Sequence, residues 1–268
     1  MKEQRRSPSA VTDCYIDQEQ QYVSPTIGTA LHTNKSDMED LQAAKTTSIF
    51  RETTIYKKAA AEFVGTFILV FAGCGGIMVE ARDKILTDVG VAAVFGLVLM
   101  AIIYSLGHIS GAHINPAVSL TFSSVGQLPF KELPIYIVCQ IAGATAAAAA
   151  LDEIITNISI NVAVNVPMGH PLISLVVEFI ITFMLALVIF ATATDPKAHG
   201  QMAGVAVGAV AACNGLFAGT LSGVSMNPAR SLGPALKTGN YNGLWVYIVG
   251  PVSGAICGTW FYKVISIQ

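Results

Sequence analysis

Six apolar stretches, each close to the ~20 residues a helix needs to cross a bilayer, govern what this chain can fold into. They run over roughly 58–80, 88–107, 132–152, 171–193, 202–222 and 242–263. A soluble all-helical core is the alternative, and six such lengths in series make it a poor one. Composition agrees: 53% of the 268 residues are hydrophobic and 12% are charged, about half the charge of an ordinary globular chain. Gly and Ala are abundant inside the stretches, notably from Ala142 to Ala150 and at Gly250, Gly254 and Gly258. Small residues four apart let helices approach closely in lipid, where no hydrophobic effect drives them together. The expected class is an all-α membrane protein.

The rest of the composition mainly excludes. Residues 1–56 are polar without a sustained apolar period and read as a disordered cytosolic tail. No apolar core of a cleaved leader lies near Met1. A net charge of −2 gives no reason to expect a nucleic-acid partner. Cys14, Cys74, Cys139, Cys213 and Cys257 are scattered, and the five His show no zinc-like cluster, so no disulfide framework, metal site or cofactor is expected. No nucleophile–base set or phosphate loop supports an enzyme.

One tripeptide is written twice. Asn115-Pro116-Ala117 and Asn227-Pro228-Ala229 stand 112 residues apart (227 − 115 = 112), each after a Gly/Ser-rich run. Asn as an N-cap followed by Pro at the first helical position is a strong start signal. A Glu opens each half as well: Glu62 lies 53 residues before Asn115 (115 − 62 = 53) and Glu178 lies 49 before Asn227 (227 − 178 = 49). The repeat unit has three spans, an odd number, so its copies must enter the membrane in opposite orientation. The halves cover about 57–125 and 171–237, within a channel domain of 57–264 followed by a short tail at 265–268. Arg51, Lys57, Lys58, Lys131 and Lys197 fall on one side, read as cytoplasmic. The loop of about 153–170 lacks Lys and Arg and holds a glycosylation sequon at Asn157, while Arg82 and Lys84 are a modest exception. Both termini come out inside.

Each triplet opens a stretch too short to span, Asn115 to about Ser124 and Asn227 to about Lys237. In an inverted repeat these re-entrant half-helices meet N-terminus to N-terminus near the midplane, where non-helical backbone survives only beside a cavity. Two such tips, each about +0.5 charge, disfavour cations, including hydronium. The side-chain amides of Asn115 and Asn227 are then left to donate to a passing oxygen. Glu62 and Glu178 are either structural, accepting bonds from the loops before Asn115 and Asn227, or the proton relay of a coupled transporter. His108 and His113 read as loop-packing residues, with a gating histidine as the alternative. Arg230 reads as a pore residue rather than one paired to a carboxylate, since no acid neighbours it in sequence.

At these residues the chain resembles the major intrinsic proteins, the aquaporins and aquaglyceroporins. The resemblance covers roughly 57–263 and rests on the six spans, the two boxes, the early Glu of each half and Arg230. The polar tail, Ala72-Gly73-Cys74-Gly75 and Ser225-Met226 resemble the plant nodulin-like intrinsic subfamily. The resemblance implies six transmembrane helices plus two re-entrant half-helices in an inverted 3+3 repeat, assembled as a homotetramer with one pore per protomer. It also implies an outer selectivity filter at Phe95, Gly215, Val224 and Arg230. A strict water channel of this kind has His where Gly215 stands, and glycerol-conducting members have Gly. The implied function is a passive channel in the plasma membrane for water, glycerol, urea and boric or arsenious acids. The competing class is a secondary transporter coupled through Glu62 or Glu178.

Overall fold

The computed structural model describes residues 54–198 and 200–266; Cys14 and the rest of the polar tail before Thr54 lie outside them. Among the described residues all regular secondary structure is helical, with eight α-helices: α1 (Ile55–Asp83), α2 (Thr87–Ser110), α3 (Pro116–Ser124), α4 (Leu133–Ile154), α5 (Pro171–Ile189), α6 (Ala203–Ser222), α7 (Pro228–Thr238) and α8 (Val246–Ser266). A π-helical turn, Phe190–Thr194, prolongs α5, and 3₁₀ turns occupy Ile160–Ala163 and Gly200–Met202. Six of these helices, all but α3 and α7, are long and apolar enough to span a bilayer.

Boundaries follow local chemistry. The first helix takes in Ile55 and Tyr56, assigned to the tail by composition, and Tyr56 is 83% exposed there. The last span begins at Val246 rather than near 242, because residues 241–245 are spent on turns, with Gly243 at φ 66°. Each half-helix starts at its Asn: the Asn115 side chain accepts from the Ala117 N–H, and that of Asn227 from those of Ala229 and Arg230. Caps of this kind contribute about 1 kcal/mol each.

The helices pack in a twofold pattern. Helix α1 lies against α4 as α5 lies against α8, and α1 meets α2 as α5 meets α6. Helices α2 and α6 cross at the axis between the halves, and each half-helix packs on the third span of the other half, α3 on α8 and α7 on α4. Glycine makes these approaches possible. A Cβ on Gly96 would lie 2.5 Å from the Gly208 carbonyl oxygen, and one on Gly208 would lie 2.6 Å from that of Gly96. Along α8, Gly254 and Gly258 would carry a Cβ 2.2 Å and 2.4 Å from the carbonyl oxygens of Phe179 and Phe183.

Ion pairs identify the two faces. Lys58 at the start of α1 pairs with Glu132 just before α4 at 3.0 Å, and α3 leads into that same face. Lys237 at the end of α7 pairs with Asp152 at the end of α4 at 3.1 Å. The half-helices therefore run from the middle to opposite faces. Arg82, the exception in the charge pattern, is matched by its neighbour Asp83 at 2.7 Å.

Gly254→Leu should destabilise the α5–α8 contact by about 1–3 kcal/mol, the usual cost of overpacking. A lowered unfolding temperature in detergent, set against leucine at the exposed Cys257, checks it.

Candidate functional site

The loops that precede the half-helices are built alike and are strained alike. Gly111, Ala112 and Ile114 have φ of 87°, 46° and 43°; Gly223, Val224 and Met226 have 82°, 38° and 53°. Positive φ is unusual for any residue with a Cβ and most costly for β-branched ones such as Ile114 and Val224. Two carboxylates hold these shapes. Glu62 accepts from the N–H groups of His113 (2.9 Å) and Ile114 (2.6 Å), from the Ser110 hydroxyl (2.7 Å) and from the Gln140 amide (2.7 Å). Glu178 accepts from the N–H groups of Ser225 and Met226, both at 2.9 Å, and from the Ser222 hydroxyl at 2.8 Å. Tyr136 and Tyr247 donate to the carbonyls of Ser110 and Ser222 at 2.8 Å and 2.7 Å. Both carboxylates are wholly buried, and neither is among the residues lining the cavity described below. This arrangement suits an anchor for the two loops.

Where the loops end, the halves lock together. The Asn115 amide donates to the Met226 carbonyl and the Asn227 amide donates to the Ile114 carbonyl, both at 2.8 Å. An amide NH₂ carries two protons. Each Asn therefore spends one across the midplane and keeps one, where the sequence left the whole group free. Pro116, Ala117, Pro228 and Ala229 are buried in helix contacts and do not border open space.

A cavity of about 520 Å³ runs past these residues. Asn115, Asn227, His113 and all four of Phe95, Gly215, Val224 and Arg230 line it. Arg230 is 2% exposed. Its Nη1 donates to the Ala163 carbonyl (2.8 Å) and to Asn165 Oδ1 (2.6 Å), while its Nε and Nη2 have no acceptor among the described residues. No carboxylate is ion-paired with it among those residues. The Phe95 ring centroid lies 5.6 Å from the guanidinium carbon, within cation–π range. Gly215 has a second duty, because a Cβ there would lie 2.9 Å from the Ala92 Cβ, so the glycine also lets α6 approach α2. His113 is buried, with Nδ1 3.2 Å from the Ser119 hydroxyl and its ring centroid 4.3 Å from that of Phe122. His108 is not in the loop: it sits exposed in the last turn of α2, one turn too early to support it.

A family model described as "Major intrinsic protein" matches residues 49–262. The chain belongs to the major intrinsic protein family. It is similar to Aquaporin NIP1-3 of Oryza sativa subsp. japonica, 48% identical over 210 residues that cover 78% of this chain and 73% of that one. It is likewise similar to Aquaporin NIP3-1 of Arabidopsis thaliana, 45% identical over 240 residues, covering 87% and 74%. Among solved structures, the aquaglyceroporin from Plasmodium falciparum superposes with a TM-score of 0.72 at 25% identity, over 80% of this chain and 98% of that one. This major intrinsic protein is thus a multi-pass membrane channel for water and small solutes, and not an enzyme.

Asn165 escaped the sequence reading. It is 4% exposed in the connection between α4 and α5, and its Oδ1 accepts from both Arg230 and, at 2.7 Å, the Ser231 hydroxyl. Its Nδ2 donates to the Gly223 carbonyl at 2.8 Å. One side chain thereby ties a connecting loop, the arginine and the second strained loop together. Unlike Asn157 with its sequon, it carries no motif in the sequence. Asn165→Ala leaves buried groups unpaired and should cost about 1–3 kcal/mol, while leaving Arg230 held by the Ala163 carbonyl alone. A lowered unfolding temperature together with altered solute selectivity in vesicles checks both halves of that expectation.

Proposed function

We propose that the cavity is the conduction path and that it passes water and small uncharged solutes with a polar edge and an apolar back. Glycerol, urea and boric or arsenious acid are of this kind. The observation that carries the reading is the wall opposite Phe95, where Arg230 keeps Nε and Nη2 unbonded while Nη1 is held by Ala163 and Asn165. A solute oxygen can accept from those groups while its carbon face rests on Phe95 and Val224. Gly215 leaves space beside them. Farther in, the carbonyls of Gly111, Ala112, His113, Val224 and Ser225 accept no bond among the described residues, and they offer a string of acceptors to a file of water.

Ions and protons are rejected at two places. Arg230 repels cations at one mouth. At the midplane the tips of α3 and α7, each about +0.5 charge, face each other, and the remaining N–H of each Asn orients a passing water as acceptor to both. A water so held cannot relay a proton. The coupled-transporter alternative loses its site, because the oxygens of Glu62 and Glu178 are occupied by the loops and sealed from the lumen.

The same reading orients the protein with Lys58, Lys131 and Lys197 on the cytoplasmic face, both termini inside, in the plasma membrane and as a homotetramer. Exposed Phe63, Leu97, Val138 and Val176 supply apolar outer surface for lipid and neighbouring subunits.

Stopped-flow light scattering on proteoliposomes, comparing water, glycerol, urea and boric acid, tests the reading directly; empty-vesicle rates for all four would sink it. Arg230→Val should raise cation conductance and admit bulkier solutes by about tenfold or more, and intact ion exclusion in that variant would remove Arg230 from the filter.

A further inference from the structure

We propose that Gly73, a residue on α1 that does not line the lumen, sets the width of the arginine-bearing constriction by seating the Phe95 ring. The inference rests on the reading of Phe95 as one wall of that constriction. Gly73 is buried, and a Cβ built on it would lie 2.1 Å from Phe95 Cε1, 2.3 Å from Cζ and 2.6 Å from Cδ1. Atoms cannot approach that closely, so the ring occupies the place of the missing side chain. Its remaining surroundings fix which way it can go. Leu69 and Ile114 are buried in the cluster that the ring packs against. On α1 itself, Val70 and Cys74 are fully buried in a second cluster with α4, which holds the backbone of this helix in place. The open side is the lumen, where Arg230 stands 5.6 Å from the ring centroid. The clashing atoms are the far end of one side chain, which moves more readily than a packed helix backbone. A methyl group at position 73 therefore turns the ring toward Arg230 and narrows the passage.

Gly73 is thus a positioning residue for solute selection, acting through Phe95. Small changes of pocket volume translate into discrimination of about tenfold or more between solutes differing by one or two heavy atoms. Water, the smallest permeant, passes a narrowed ring with less loss than glycerol.

The test uses the full chain in proteoliposomes, with water and glycerol permeabilities measured by stopped-flow for the wild type, Gly73→Ala, Phe95→Ala and the double variant. Gly73→Ala is expected to lower the glycerol-to-water ratio by about tenfold. The double variant is expected to return to the ratio of Phe95→Ala alone, because the methyl group then has no ring to displace. An unchanged ratio in Gly73→Ala, or a loss that removing the ring does not reverse, overturns the proposal and leaves Gly73 an ordinary packing glycine. If Gly73→Ala does not fold, recovery of folding in the double variant supports the seat, and a double variant that also fails to fold overturns it. An unchanged ratio in Phe95→Ala is a separate outcome: it refutes the filter reading itself and this inference with it.

Discussion

Two wholly buried carboxylates carry the architecture. A buried ionisable group inside a membrane span is expensive unless its bonding capacity is filled, and Glu62 and Glu178 are filled by the N–H groups of the very loops that most need support. Backbone held at positive φ by residues with a Cβ costs on the order of 1–3 kcal/mol per position, and four such positions, Ala112, Ile114, Val224 and Met226, are packed into two short loops. Those N–H groups go to the carboxylates, and carbonyls of the same loops accept no backbone bond among the described residues. The acid, the strain and the line of free acceptors are one device, installed once in each half.

The two installations are equivalent in construction and unequal in chemistry. Counting back twenty and twelve residues from each Asn reaches Phe95 and Ile103 on α2, then Val207 and Gly215 on α6, and all four border the cavity. Counting forward three reaches Val118 in one half and Arg230 in the other, both on the cavity as well. One mouth therefore combines an aromatic ring, an absent side chain and a guanidinium, while the positions related to it carry only branched aliphatic residues. The two ends share one frame and differ in these few side chains. The anchors diverge a little too: Gln140 adds a fourth donor to Glu62, whereas Glu178 accepts three.

What was legible in the sequence was whatever a few adjacent residues could encode. Apolar length located the spans to within a few residues, and Asn-Pro announced the half-helices, because a cap is chemistry between a residue and the turn that follows it. Groups that matter through partners far along the chain were opaque. Asn165 bonds to Arg230, 65 residues away, with no local mark to announce it, and Gly73, noticed only for a family likeness, packs against Phe95 across a helix boundary. The crossed amide bonds span 111 and 113 residues, which is why the Asn side chains looked entirely free when read locally. His108 was misplaced for a simpler reason: α2 keeps its hydrogen bonds through Ser110 before Gly111 releases it.

Those crossed bonds also bear on how the protein is made. Asn115 leaves the ribosome 112 residues ahead of Asn227, which at about 5–20 residues per second is a wait on the order of ten seconds. Until the later segment arrives, the first re-entrant loop has no acceptor for its amide and no opposing tip to rest on. The earlier half must therefore sit in the translocon or the lipid with an unfinished polar seam, and it closes only when its mirror copy is threaded in from the far side. Synthesis of this molecule has a built-in vulnerable interval, and a mutation that loosens either loop lengthens the exposure of that seam to quality control before any conduction begins.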